Sequence, residues 1–302
     1  MNYTVGHKNP DTDSIISAIA YAEFLKFKGK EFKAARQGEL NGETKFVLEK
    51  FGLAEPELVS EAGEDSFFLL DHNSYEQSVD GLSEDQILGV IDHHKIELTT
   101  SKPIYFHVEP LGCTCTILTK IFLREGFEIS KELAGAMLAA ILSDTVIFKS
   151  ATTTEEDKEI AKKLAALAGI ENIEEFGIEV KKKKADISSK TARDIITADF
   201  KKFETKGIKY AIGQVELVDL SDIKARKQEI LNELEKIRQE VGANFTILIV
   251  TDIMKEGSEL WIAGETEIPE KAFGKLEDNS IWLPGVMSRK KQVVPPIDQA
   301  IE

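Results

Sequence analysis

The sequence predicts an α/β protein of two domains. The first carries a mainly parallel sheet, the second a smaller mixed sheet, and the active site is expected in the cleft between them. Three observations lead there. The chain has 302 residues, long for one domain at roughly 100–200 residues each. The apolar runs at residues 66–70 and 87–91 are continuous rather than alternating, which suits parallel strands covered on both faces. Strand and helix signals alternate through the first half and restart after a charged, then small and polar, break at residues 181–189. That pattern fits two separately layered units.

Taken in order, Tyr3-Thr4-Val5-Gly6 reads as a short strand. Residues 14–28 read as a helix, with Ile15, Ile19, Ala22 and Leu25 on one face and Gly29 as its stop. Residues 66–70 form a strand ending at Asp71, and residues 87–91 a second ending at Asp92. Helix signals follow at 114–125, 131–142 and 154–168; the last opens with Thr154 and Asp157 in capping-box fashion and stops at Gly169. Beyond the break, residues 209–215 read as a strand and 221–241 as one long amphipathic helix closed by Gly242. Residues 245–251 and 259–263 read as strands around a Gly257-Ser258 turn, and a basic tail punctuated by Pro and Gly closes the chain. The expected divisions are residues 1–184, a hinge linker at 185–192, and residues 193–302.

Composition narrows the function. Apolar residues make up 42% and charged residues 30%, so the chain can bury a core and is too apolar for disorder. The formal net charge of −15 argues against nucleic acid as partner, since such binders neutralise phosphates with a basic face. A small anion would need a local cationic pocket, or metals, to overcome that repulsion. No apolar run approaches the ~20 residues that span a bilayer, and the first residues lack a secretory pattern. The two cysteines, Cys113 and Cys115, are one residue apart and build no disulfide framework. Both are read as reduced, no membrane partner is expected, and the expected compartment is the cytoplasm.

Three segments put acids and imidazoles just past an apolar strand: His7 to Ser14 with Asp11 and Asp13, then Asp71-His72-Asn73, then Asp92-His93-His94. In open parallel sheets, ligands bind at the carboxyl ends of the strands. Three such ends on one sheet edge would pool His7, Asp11, Asp13, Asp71, Asp92, His93 and His94. Mixed imidazole and carboxylate ligands suit Mn, Co, Zn or Fe better than Ca. Carboxylates so crowded would protonate unless cations sit among them, and two divalent cations with one bridging carboxylate resolve the conflict. Bland readings exist for each segment alone: Asp13 or Thr12 as a helix cap, Pro10-Asp11 as a turn, Asp71 and Asp92 as solvated strand ends. Their joint occurrence favours the metal site. The run at residues 181–184 reads as a solvated face or a cleft lining; His72 and His107 read as structural or surface residues.

The ordered set His7, Asp11, Asp13, Asp71 and Asp92-His93-His94 resembles the DHH phosphoesterase superfamily. The tail Ser288-Arg289-Lys290-Lys291-Gln292 resembles the family II inorganic pyrophosphatases, and the likeness spans the whole chain. No Gly-Gly-Gly-His segment of the related nucleases is present. The resemblance implies a further ligand, Asp144, in Leu142-Ser143-Asp144-Thr145. It implies two metals held by His7, Asp11, Asp13, Asp71, His93 and Asp144, with Asp71 bridging and Asp92 orienting a histidine. His94, Arg289 and Lys290 would contact phosphate together with one lysine of residues 198–202, chosen as Lys201 over Lys202. It further implies a preference for Mn, with Co as substitute and Mg accompanying the substrate, and a homodimer.

The expected activity is therefore hydrolysis of pyrophosphate to two phosphates by in-line attack of a metal-bridging water, with catalytic roles for His94, Lys201, Arg289 and Lys290. An exopolyphosphatase or other phosphoesterase of the superfamily is the alternative within enzymes. A non-catalytic metal or phosphate-binding module is the alternative outside them.

Overall fold

The structure is a computed structural model that describes residues 1–184, 187 and 190–301. Of the expected hinge at 185–192, residues 185, 186, 188 and 189 lie outside the described residues. The chain divides into two compact units, Met1–Lys184 and Ala185–Glu302.

The first unit holds six strands: β1 (Asn2–Val5), β2 (Lys33–Arg36), β3 (Glu57–Leu58), β4 (Ser66–Leu70), β5 (Ile87–Asp92) and β6 (Tyr105–Val108). All neighbours pair in parallel, in the order β3-β2-β1-β4-β5-β6. The chain leaves β1 for β2 on one side and leaves β4 for β5 on the other, so the winding reverses between β1 and β4. A crevice outside the carboxyl ends of the strands forms at such a reversal. Residues 6–13 follow β1, Asp71 follows β4, and Asp92 closes β5. These three expected segments therefore meet at one place.

Helices cover this sheet: α1 (Thr12–Phe27), α2 (Gly42–Phe51), α3 (Thr114–Arg124), α4 (Lys131–Asp144), α5 (Glu155–Ala168) and α6 (Ile173–Lys184). Ile15, Ile16, Leu133, Met137 and Leu138 are wholly buried. A core cluster of Val5, Phe67, Leu69 and Val90 lies on the sheet. At ~25 cal/mol per Å² of apolar surface this burial dominates the unit's stability.

The second unit has a five-stranded sheet in the order β11-β10-β9-β8-β7. Its strands are β7 (Phe200–Thr205), β8 (Ile208–Leu217), β9 (Phe245–Asp252), β10 (Gly257–Gly264) and β11 (Ser280–Pro284). Only β8 and β9 pair in parallel, so the sheet is mixed. On one face α7 (Ala192–Thr197), α8 (Ser221–Ala225) and α9 (Lys227–Val241) bring Ile195, Ile223, Ile230 and Leu234 against Leu248, Val250 and Trp261. The other face packs Ile212, Ile247 and Ile262 with Val293 and Ile297. That face carries α10 (Glu267–Phe273) and α11 (Val294–Ile301), which follows a wide π-helical turn at Arg289–Val293. No helix among the described residues is long and apolar enough to cross a membrane.

Several expectations are corrected. The first helix starts at Thr12, because the Asp11 carboxylate caps it by accepting from the Ser14 amide at 3.0 Å. The single helix expected at 221–241 breaks at Arg226 (φ −103°, ψ 10°), whose guanidinium donates to the Ile187 and Lys190 carbonyls at 2.7 and 2.9 Å. The Gly257-Ser258 turn is not a turn: Gly257 already pairs with Asp252 and Pro284, and the reversal occupies residues 253–256. The run at 181–184 is not uniformly solvated, since Lys181 is buried.

Gly6 is where β1 turns into the segment before α1. A Cβ built there would lie 1.9 Å from Ser14 Oγ and 2.6 Å from the Ser14 carbonyl oxygen. Gly6→Ala should therefore push α1 off the strand end and cost about 1–3 kcal/mol, the usual penalty of overpacking. Chemical denaturation checks this; an unchanged midpoint would show that the close approach carries no weight.

Candidate metal centre

Asp71 stands at the centre of the crevice. It is the first residue past β4, 1% exposed, and its backbone is left-handed at φ 61°. Asp tolerates that region better than most residues, though it costs free energy. The conformation is held by its amide donating to the Ile91 carbonyl at 3.0 Å. The side chain faces two imidazoles: Oδ2 lies 3.4 Å from His7 Nε2, and Oδ1 lies 3.3 Å from His93 Nε2.

Both imidazoles have fixed tautomers. His7 Nδ1 sits 2.7 Å from the Lys8 carbonyl, and His93 Nδ1 sits 2.9 Å from the Leu111 carbonyl. A carbonyl only accepts, so each Nδ1 carries its hydrogen and the neutral ring leaves Nε2 as a lone-pair donor aimed at the carboxylates. Buried His93 Nε2 has no hydrogen-bond partner. Such an orphan calls for an explanation, and a cation supplies one.

The remaining acids close around Asp71. Ligand atoms of Asp13, Asp71, His93 and Asp144 all lie within 4.8 Å of one another, as do those of His7, Asp11 and Asp71. Asp71 belongs to both groups, which is the position a bridging carboxylate needs. Asp13 is clamped by the start of α3: its Oδ2 accepts from the Thr114 amide at 2.6 Å and its Oδ1 from the Cys115 amide at 3.0 Å. Asp144, the last residue of α4, places Oδ2 3.7 Å from His93 Nε2.

The electrostatics show what the cluster lacks. Burial and the neighbouring Asp71 push Asp13 up to about 6. Burial and the charges of Asp13, Asp11 and Asp71 push Asp144 well above the carboxylate range. Burial works against charge on His7 and His93, yet their carboxylate partners raise them to about 11 and about 10. Burial also opposes the Asp71 charge, but the His7 and His93 imidazoles beside it hold it below the usual range. With no cation present, protons supply the missing positive charge. Divalent cations would displace them, so the donor set fits such ions.

Asp92 is fully buried and holds the next loop. Its Oδ1 accepts from the His93 and His94 amides at 2.7 and 3.1 Å and from His94 Nδ1 at 2.8 Å. His94 is half exposed, with Nε2 left for a ligand. His72 faces away, bound to the Leu70 carbonyl and Ser78 Oγ, and burial lowers it to about 4. His107 pairs with Glu109.

In the second unit, Lys201, Arg289 and Lys290 line one cavity of about 450 Å³ with Gln214, Glu216 and Ser288. Alternation along β7 turns Lys202 away from it, beside Glu204 and Lys209. The Arg289 guanidinium is anchored on one side, donating to the Asp199 carboxylate and carbonyl, each at 2.8 Å.

The comparisons with known proteins bear on the whole chain. Residues 3–141 match the profile of the DHH family, N-terminal domain, and residues 178–300 match that of the DHHA2 domain. The manganese-dependent inorganic pyrophosphatase of Methanocaldococcus jannaschii is 48% identical, with 99% of each chain covered. A crystal structure titled as a putative family II inorganic pyrophosphatase of Methanococcus jannaschii aligns at a TM-score of 0.65, 48% identity and 99% coverage of each chain. This chain belongs to the family II inorganic pyrophosphatases. A further family member, the manganese-dependent enzyme of Bacillus subtilis, is 43% identical, with 98% of this chain and 97% of that protein covered.

Within this family II chain, the structure adds residues that the sequence did not single out. Thr114 Oγ1 donates to Asp71 Oδ1 at 2.9 Å. Asn73 ties Asp92 Oδ2 to the Lys95 carbonyl and accepts from the Glu97 and Leu98 amides. Strand-end position marks Asn73; Thr114 carries no local signal, because its partner lies 43 residues away.

Asp144 gives a test. A carboxyl group whose folded pKa is raised destabilises the fold at pH values above its unfolded pKa. Asp144→Asn removes that burden, so in chelator at pH 8 the variant should melt no lower than wild type. Added Mn should then raise its melting point less than it raises the wild type's. A variant that melts lower in chelator, or gains as much from Mn, would contradict this account of the cluster.

Proposed function

We propose that this chain hydrolyses inorganic pyrophosphate to two phosphates at a manganese-dependent site on the first unit, with the cationic cavity of the second unit holding the substrate. The carrying observation is the shared Asp71, common to two ligand groups within 4.8 Å. The names of relatives at 43–48% identity over nearly the whole chain support the substrate and the metal.

His7, Asp11 and Asp71 would hold one ion, and Asp13, Asp71, His93 and Asp144 the other; Co would substitute for Mn, and Mg would accompany the substrate. Two divalent ions so held supply charge neutralisation and a water acidic enough to attack at neutral pH. The chain's own groups do the rest. Asp92 holds the His94 ring by Nδ1 and, with its hydrogen bond as the main cause, raises the ring's pKa. That leaves Nε2–H to donate to a phosphate oxygen. Arg289, braced by Asp199, presents the free part of its planar fork, while Lys201 and Lys290 act as point charges. As the P–O bond to water forms and the bridging P–O bond breaks, these cations stabilise the charge moving onto the leaving phosphate. The proposal also places the active enzyme in the cytoplasm as a homodimer, with residues 185–192 as the hinge between domains 1–184 and 193–302.

The cationic cavity separates this reading from a non-catalytic metal-binding module. Removing one oxyanion donor elsewhere costs 10²–10³ in rate, about 2.7–4 kcal/mol, whereas a solvated charge is worth about 0.5 kcal/mol or less. Arg289→Ala, Lys290→Ala and Lys201→Ala should each lose at least tenfold in kcat/KM on pyrophosphate with Mn. Arg289→Lys should recover part of the loss, and Lys202→Ala should lose less than threefold. Wild-type kinetics in all three alanine variants would remove the second unit from the reaction. Equal kcat/KM for triphosphate and pyrophosphate would favour the polyphosphatase reading.

A further inference from the structure

A buried ion pair outside the candidate ligand set lies against the backbone segments that carry those ligands. Glu43, in the first turn of α2, is completely buried. Lys181, near the end of α6, is also buried and brings Nζ to 3.5 Å from Glu43 Oε2. The approach depends on Gly42: a Cβ there would stand 2.6 Å from the Lys183 carbonyl oxygen. Only glycine lets the end of α6 press against the start of α2.

The other Glu43 oxygen gathers two hydroxyls. Oε1 accepts from Thr12 Oγ1 at 2.7 Å and from Ser143 Oγ in a short contact. Lys181 Nζ adds bonds to the Ser143 carbonyl at 3.2 Å and to Ser143 Oγ at 3.4 Å. Thr12 stands between Asp11 and Asp13, and Ser143 immediately precedes Asp144. One carboxylate thus ties together the two backbone segments that carry three of the six candidate ligands. These segments are more than a hundred residues apart and belong to different helices. Packed apolar residues would fill such a site at least as stably as an ion pair. Stability alone therefore does not explain charge here, whereas holding two backbone segments in register does.

We propose that Glu43 and Lys181 are positioning residues of the manganese site, setting the spacing of Asp11 and Asp13 against Asp144 through Thr12 and Ser143. This rests on the reading of that cluster as a metal centre. The test is Mn titration of the full-length chain, with free Mn followed by its paramagnetic resonance signal and melting points measured in chelator. Glu43→Met and Lys181→Met singly should melt lower, each removing one partner of the buried pair, and Glu43→Met/Lys181→Met should recover most of that loss. The double variant should still bind Mn at least tenfold more weakly than wild type. Glu43→Gln/Lys181→Met keeps an oxygen acceptor for Thr12 and Ser143 and should stay within about threefold of wild type. A Met/Met variant that binds Mn as tightly as wild type, or a Gln/Met variant as weak as Met/Met, overturns the proposal. If Met/Met does not fold, Thr12→Val/Ser143→Ala decides: at least a threefold loss supports the tie, and unchanged affinity overturns it. A wild-type chain that binds no Mn overturns the metal centre itself, which the wild-type titration shows before any variant is compared.

Discussion

Four carboxylates, Asp11, Asp13, Asp71 and Asp144, converge with two imidazoles where the winding of a parallel sheet reverses. In a buried site like charges cannot all remain ionised without a counter-charge. That conflict explains the local construction. The left-handed turn at Asp71 aims its carboxylate into the crevice. The start of α3 donates two amides and a hydroxyl to Asp13 and Asp71. The imidazoles are pinned by Nδ1, so the lone-pair nitrogen faces inward. Each device directs negative or electron-donating atoms at one point, which is unfavourable for an empty protein and favourable for one that binds cations.

One cavity of the second unit gathers the opposite charge. The chain as a whole is acidic, at −15, yet Lys201, Arg289 and Lys290 share one cavity. Arg289 is held against Asp199 rather than free to swing. A braced guanidinium loses less entropy on meeting a phosphate. The same economy recurs in Asn73, which satisfies four hydrogen bonds while fixing Asp92 and thus the two histidines after it.

Much of this was legible from sequence because parallel strands signal themselves. Residues 66–70 and 87–91 are continuous apolar runs, and the acid after each must lie at the carboxyl end. Strand β1, residues 6–13 and Asp11 followed from the same logic, although Asp11 rather than Asp13 or Thr12 proved to be the cap. Asp144 carried no such mark. It ends a helix, and only the resemblance to the pyrophosphatases singled it out. Glu43 and Lys181 were invisible for a different reason. The helix that carries Glu43 was not among the expected elements, and a lysine in a basic run reads as solvated; the contact of α2 with α6, allowed at Gly42, brings the two together in the interior. The strands β2, β3, β6, β7 and β11 were missed because each is short or polar and lacks the long continuous apolar run that betrays β4 and β5. Arg226 broke a helix whose periodicity runs through it, since the break answers to carbonyls outside the helix.

The central claim is that divalent cations occupy the carboxylate cluster with Asp71 shared between them. Crystals of the full-length chain grown with Mn, and measured at the Mn absorption edge, test it directly. The account predicts two anomalous peaks in the crevice, both within coordination distance of Asp71, one also bound by His7 and the other by His93. A single peak away from Asp71, or none in the crevice at full Mn occupancy elsewhere, would contradict it.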